Sequence, residues 1–455
     1  MVYSGKKVLV VGIDGVPYTL INKYVEKGIF PNLKRILSEG FVNHQMDASV
    51  PDVSSTSWSS FFTGVNPGEH NIYGFMELKK YTYKLAFPNY LDVRAPSLWE
   101  ILDGNCSLKK SSISERYKDK LNKNMKSIVL NIPQTYPALP FNGILTAGFV
   151  CPDLKKGTYP ESAYNYLSSM GYMPDVDATK AKDDPPGFFD EVERALDKRL
   201  KSYCHFLDNG DYGLFIACIT ETDRVNHFFF DAACDESHGF HDKFISVYGK
   251  IDDIIGRLYD VFMEKTEGQG FFMTMSDHGF TPIKKEFYVN AWLREKGLLK
   301  LNRQREYFEQ IDSGTIAFAL EPARIYLNLE GSYPLGCVKK EDSSGIAAEI
   351  KDAMRSISDE DGSSVIKCIY ERHEVYSGDC ASNAPELVCV ANDGYDLKGN
   401  LKKVEFFGKG PFTGMHTRHD AHCILPVGLK PAGRLKIEDL APVILDNFLE
   451  PDKEN

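Results

Sequence analysis

Short apolar runs rich in Val, Ile and Phe recur at 7–13, 127–131, 213–219, 270–276 and 422–426. A strand covered on both faces has no polar side to show, so such runs predict the strands of a mostly parallel, buried sheet. Between them, over 31–39, 188–207 and 240–264, apolar residues return at three-to-four spacing. That is the period of helices laying one stripe on a core. The alternation predicts an α/β fold, a central sheet flanked by helices. Three of the runs lead into acids: Asp14 follows the first, Asp223 stands just past 213–219, and Asp277 follows 270–276. In open parallel sheets the carboxyl ends of strands border the ligand crevice. The pattern therefore predicts one acidic site assembled from three distant segments.

The stretch 284–405 reads differently. A strand over Arg324 to Leu329, a helix over 344–357 and short strands over 365–371 and 386–391 are expected there. The expected organisation is a catalytic core of 1–283 and 406–455, carrying a smaller α/β cap inserted at 284–405. A loop-rich insertion is expected within 76–200, where the basic, polar 108–126 and the Pro/Asp-rich 174–187 read as exposed loops.

Composition narrows the function classes. With 455 residues, 43% hydrophobic and 26% charged, the chain can bury a large core and is not a disordered tail. Lys plus Arg minus Asp plus Glu is 53 − 64 = −11, a balance that repels a polyphosphate backbone and argues against a nucleic-acid polymer as partner. No run of about 20 apolar residues is available for a membrane span. Lys6 and Lys7 pass directly into Val8 to Asp14, a strand rather than a signal segment. The ten cysteines, at 106, 151, 204, 218, 234, 337, 368, 380, 389 and 423, contain no CxxC pair and read as reduced thiols. A soluble, cytoplasmic protein with no membrane partner is expected.

Four segments carry candidate chemistry. Ser54, Ser55 and Thr56 precede an apolar run closed by Gly64, which predicts a helix with N-cap hydroxyls and a glycine stop. A helix N-terminus attracts oxyanions, so a hydroxyl there is placed to attack phosphorus. Asp223 and His227 are four apart and share a face if a helix starts there. Asp277 and His278 follow a strand, with Gly279 allowing a tight turn. His416 lies in the loop before the last strand, approached through Gly408-Lys409-Gly410. Three Asp, three His and a hydroxyl are a ligand mix suited to zinc, with manganese as the alternative. Two groups of three to four ligands would hold two ions ~3.5–4 Å apart. Phosphate-loop, dinucleotide, HExxH and GxSxG patterns are missing from the sequence.

As a set these motifs resemble the type I phosphodiesterase and nucleotide pyrophosphatase family of the alkaline phosphatase superfamily, in its prokaryotic branch. The resemblance runs through Val11 to Gly15, the serine helix to Thr63-Gly64-Val65-Asn66-Pro67-Gly68-Glu69-His70, Asn131 to Pro137, Asp223 to His227, Asp277 to Gly279, and Gly414-Met415-His416. It implies an alkaline-phosphatase-like fold with Asp223, His227 and His416 on one metal and Asp14, Asp277, His278 and the nucleophile on the other. The implied nucleophile is Ser54, ten residues before Gly64, with Ser55 as runner-up. The implied activity is hydrolysis of a small phosphodiester or nucleotide-pyrophosphate-type substrate through a phosphoserine. A phosphonate hydrolase, phosphomutase or phosphomonoesterase of the same superfamily is the alternative. Two departures touch the substrate pocket: Phe75 replaces a phosphate-binding Asn, and Gly331-Ser332-Tyr333-Pro334 lacks an Arg. Substrate choice is expected to involve Tyr326 and Tyr333 of the cap. His419 or Asp420 is expected to orient His416. His238 and His241 read as loop histidines, Thr135 and Tyr136 as turn packing, and Phe228 to Phe230 as core.

Overall fold

Five parallel strands stand side by side at the centre, in the order Phe271–Met275, Val8–Ile13, Leu214–Ile219, Ser127–Ile132 and Gly143–Ala147. They belong to a computed structural model in which residues 7–104, 109–429 and 433–449 are described. Cys106 and residue 108 of the expected loop lie outside those residues. Antiparallel Thr158–Tyr159 closes one edge. On the other side Ala421–Pro426 pairs antiparallel with both Phe271–Met275 and Phe41–Asp47, and Leu435–Lys436 pairs parallel with Phe41–Asp47, giving nine strands among the described residues. The run at 422–426 is thus a buried strand but not a parallel one. Burial on both faces makes the run apolar whichever way it points, so hydropathy alone could not set its direction.

Alternation along the first strand builds a three-layer core. Leu9, Val11 and Ile13 face one cluster with the helices Pro185–Asn209 and His241–Lys265. Val8 and Val10 face another with Trp58, Phe61 and Phe62 of the helix Ser54–Thr63. Both long helices were expected, to within a few residues.

A third hydrophobic cluster lies outside these layers. It fills a four-stranded antiparallel sheet, Ala317–Leu320, Arg324–Leu327, Leu387–Ala391 and Ile366–Glu371, with Ala347, Ile350 and Met354 from the helix Ser343–Arg355. Tyr83 joins the same cluster, and its hydroxyl donates to Asn328 Oδ1 at 2.7 Å.

Two expected loops contain helix. Within 108–126, Ser111 caps Ser112–Tyr117 and buries Ile113 and Tyr117. Within 174–187, Lys180–Asp183 is helical and the next helix starts at Pro185. Short helices with a single apolar turn leave too little periodicity to detect. Among the described residues, no helix is long and apolar enough to cross a membrane.

Candidate functional site

Because the three acid-bearing strands are adjacent and parallel, their carboxyl ends open at one edge. Val8–Ile13 is central, with Ile13 opposite Ile219 on one side and Gly12 opposite Met275 on the other. Asp14, Asp223 and Asp277 are therefore delivered to one point. The helix Glu221–Cys234 starts immediately after its strand, so Asp223 and His227, one turn apart, share a face with His227 Nε2 3.4 Å from Asp223 Oδ1. His416 comes from Gly414–Thr417, which pairs antiparallel with Gly279–Pro282 and sets His416 opposite Phe280.

All seven expected residues meet. Ser54 Oγ lies 3.2 Å from His278 Nε2 and donates to Asp14 Oδ1 at 3.5 Å. His278 Nε2 is 3.3 Å from Asp277 Oδ2, 3.7 Å from Asp14 Oδ1 and 4.0 Å from Asp223 Oδ1. His416 Nε2 is 3.2 Å from Asp223 Oδ1 and 3.0 Å from His227 Nε2. Ser55 points elsewhere: its Oγ is buried with no hydrogen-bond partner among the described residues.

The serine helix departs from its expected capping. Val53 is the N-cap and no side chain caps the end, so Ser54 occupies the first helical position with its hydroxyl turned to the carboxylates. Gly64 ends the helix in the left-handed conformation, φ 68°.

Backbone carbonyls fix all three imidazoles. Nδ1 of His227, His278 and His416 lies 3.2, 3.1 and 2.9 Å from the carbonyl oxygens of Gly414, Gly279 and Asp52. A carbonyl only accepts, so each Nδ1 carries the proton and each Nε2 presents a lone pair to the centre. Neither His419 nor Asp420 orients His416, as one of them was expected to. His419 Nδ1 bonds Asp47 and Asp420 takes Thr19, because Asp52, from the loop before the serine helix, already fills the position.

Electrostatically the site crowds three buried carboxylates together, with Arg224 beside Asp223. Burial, with the charges of Asp277 and Asp223, drives Asp14 well above the usual carboxylate range. Burial also pushes Asp277 up to about 7 and His227 down to about 4. Burial would raise Asp223 too, but His227 and His416 beside it hold it below its ordinary value. Asp277 Oδ2 is buried without a hydrogen-bond donor among the described residues, and two Nε2 lone pairs face each other at 3.0 Å. Such a set is satisfied by cations. Asp223, His278 and His416 form one group able to hold an ion, and Asp14, Asp277 and His278 another.

Several supporting residues carry no sequence signal of their own. Trp58 Nε1 donates to Asp14 Oδ2 at 2.8 Å, and Gly15 N to Asp277 Oδ1 at 3.0 Å. Gly15 needs φ +66°, and a Cβ there would meet Phe280 at 2.6 Å. The Asp-Gly pair was legible, but its partners across the sheet were not.

A cavity of about 800 Å³ opens beside the site, with Phe75, Phe412, Tyr395, Lys398 and Arg418 on its walls. Tyr326 and Tyr333, expected to set substrate choice, do not line it; Tyr333 stacks on Tyr83 at 5.7 Å and Tyr326 is buried beside Arg324. Their Tyr character suited a pocket wall equally well, and only packing separates the two roles. His238 Nε2 lies 3.9 Å from Asp231 Oδ2, whereas His241, expected in a loop, opens the helix His241–Lys265 with its Nδ1 2.7 Å from Ala232 O. Thr135 donates to Ile132 O as turn packing. Of the aromatic run, Phe229 packs in the core, whereas Phe230 reaches the cavity wall.

Comparison with known proteins gives a family and a fold. The family model for type I phosphodiesterase / nucleotide pyrophosphatase matches residues 8–419. No curated protein matches the sequence. Among solved structures, phosphonoacetate hydrolase from Sinorhizobium meliloti 1021 in complex with phosphonoacetate is similar, with a TM-score of 0.63 at 14% identity, covering 97% of this chain and 95% of that one. Murine ectonucleotide pyrophosphatase / phosphodiesterase 5 is similar with a TM-score of 0.53 at 14% identity, covering 99% and 97%. An inactive variant of the murine protein in complex with AMP matches with a TM-score of 0.53 at 13% identity, covering 99% and 96%.

Proposed function

From the premise that the chain belongs to the type I phosphodiesterase / nucleotide pyrophosphatase family, we propose that it hydrolyses a small phosphodiester or nucleotide-pyrophosphate-type substrate through a phosphoserine on Ser54. The observation that carries this reading is the convergence of three carboxylates and three Nε2 lone pairs around one serine hydroxyl that caps nothing.

Asp14, Asp277, His278 and the Ser54 hydroxyl would hold one divalent ion, and Asp223, His227 and His416 the other, with zinc the proposed metal. Bound ions supply Lewis acidity that lowers a hydroxyl pKa and neutralises charge developing on the phosphoryl oxygens. The protein's own groups do the rest. Ser54 Oγ attacks phosphorus, the P–O bond to the leaving group breaks, and water then releases phosphate product from the serine. Thr56 N and Ser57 N both donate to Val53 O, and the N–H groups of Ser54 and Ser55, at the start of the helix, have no carbonyl of an earlier turn to bond and would be available to a phosphoryl oxygen. The Nδ1–H bonds to backbone carbonyls keep each imidazole in the orientation that points Nε2 inward.

A phosphonate hydrolase is the second reading, since the phosphonoacetate hydrolase fold matches with the higher TM-score, 0.63 against 0.53. Product analysis separates P–C from P–O cleavage. The test of the main reading is turnover of bis(p-nitrophenyl) phosphate against p-nitrophenyl phosphate, with zinc and manganese compared. Failure to turn over the diester with either metal counts against it.

A further inference from the structure

Arg224 follows the metal-ligand candidate Asp223 on the same helix, and the reading above gives it no role. Its guanidinium is held from behind. Nε donates to Asp175 Oδ1 at 3.1 Å and Nη2 to Asp175 Oδ2 at 2.8 Å, a two-pronged grip that fixes the plane of the fork. The plane also lies over the ring of Phe149 at 4.1 Å, and Phe149 in turn packs on Phe75 at 5.2 Å. The remaining arm, Nη1, makes no hydrogen bond among the described residues. It lies 3.7 Å from Asp223 Oδ2, too long for a hydrogen bond but directly beside one of the candidate metal ligands. The guanidinium's charge is felt by both Asp14 and Asp223.

An arginine needed only to neutralise Asp223 would spend Nη1 on it. Here Nε and Nη2 are used to lock the group, and Nη1 is left beside Asp223, whose other carboxylate oxygen lies 4.0 Å from His278 Nε2. We propose that Arg224 Nη1 donates to a non-bridging oxygen of the substrate's phosphoryl group and strengthens that contact as negative charge builds up in the transition state. Asp175 and the Phe75–Phe149 stack act as positioning residues for it. The inference rests on the phosphoryl-transfer reading above and names a substrate contact within it.

The test uses the full-length, zinc-loaded protein. Arg224→Met keeps the stacking bulk and removes the donors; removing one pre-oriented donor of this kind costs about 10²–10³-fold in turnover. The expected result is a loss of that size in kcat/KM on bis(p-nitrophenyl) phosphate at unchanged zinc content, with partial recovery of Arg224→Ala by millimolar guanidinium. Asp175→Asn should lose about 10-fold by loosening the fork. Activity of Arg224→Met within about 3-fold of wild type would overturn the inference, as would a loss that tracks missing zinc and is not rescued by guanidinium. Should the wild type hydrolyse no ester at all, the phosphoryl-transfer reading falls, and binding of orthovanadate still judges the arginine. Weakening by 10-fold or more in Arg224→Met supports the contact, and equal binding refutes it.

Discussion

Replacing Ser54 with alanine removes one oxygen from the centre of the site and little else. Among the described residues the hydroxyl makes two long contacts, 3.2 Å to His278 Nε2 and 3.5 Å to Asp14 Oδ1, and it does not cap its helix. A cap loss of ~0.5–2 kcal/mol therefore does not apply, and the lost hydrogen bonding amounts to about 1 kcal/mol or less. Loss of a covalent nucleophile is a much larger effect, at least ~10³-fold in kcat, or ~4 kcal/mol on the barrier. Ser54→Ala should thus melt within a few degrees of wild type, retain its metal, and release p-nitrophenol from bis(p-nitrophenyl) phosphate at under a thousandth of the normal rate. Ser55→Ala is the matched control. Its hydroxyl is buried without a partner among the described residues, so the change should be neutral or slightly stabilising, with activity close to wild type. Normal turnover in Ser54→Ala with a dead Ser55→Ala would shift the nucleophile by one residue. Normal turnover in both would refute a serine intermediate and leave direct attack by water.

Other outcomes follow from the same geometry. Treatment with a strong chelator should abolish turnover and lower Tm by a few degrees, recoverable with zinc, because an ion at 100 times its Kd contributes about 2.7 kcal/mol and its removal leaves three buried carboxylates unneutralised; identical melting with and without chelator would contradict the cation reading. Gly12→Ala places a Cβ 2.5 Å from Trp58 Cη2, displacing the ring that donates to Asp14. A cost of about 1–3 kcal/mol in stability and weaker metal binding by calorimetry are expected. Gly249→Ala, within the helix His241–Lys265 and facing open space, should instead raise stability by about 0.5–1 kcal/mol in thermal unfolding. Lys398→Met, on the cavity wall but not at the metal ligands, should change relative kcat/KM among esters of differently charged leaving groups by about 10-fold at unchanged zinc content; equal loss on every substrate would argue against a selectivity role.

Local patterns settled a good deal of this protein. The all-apolar runs gave the central strands, the three-to-four spacing gave the long helices, and the acids just past strand ends marked where a site would form. Asp14-Gly15, the Asp223 to His227 turn and Asp277-His278 are each readable because a few adjacent residues decide their geometry. Tertiary structure decided the rest, because it depends on which distant segments become neighbours. Strand order puts Val8–Ile13 between Phe271–Met275 and Leu214–Ile219, and no local signal encodes that order. The reversed direction of Ala421–Pro426, the choice of Asp52 O over His419 or Asp420 as the partner of His416, and the removal of Tyr326 and Tyr333 from the cavity are of the same kind. Ser54 and Ser55 differ in sequence by one position and have the same chemistry. What separates them is about a hundred degrees of rotation around a helix axis, and that rotation has a meaning only once the strands carrying Asp14 and His278 stand beside it.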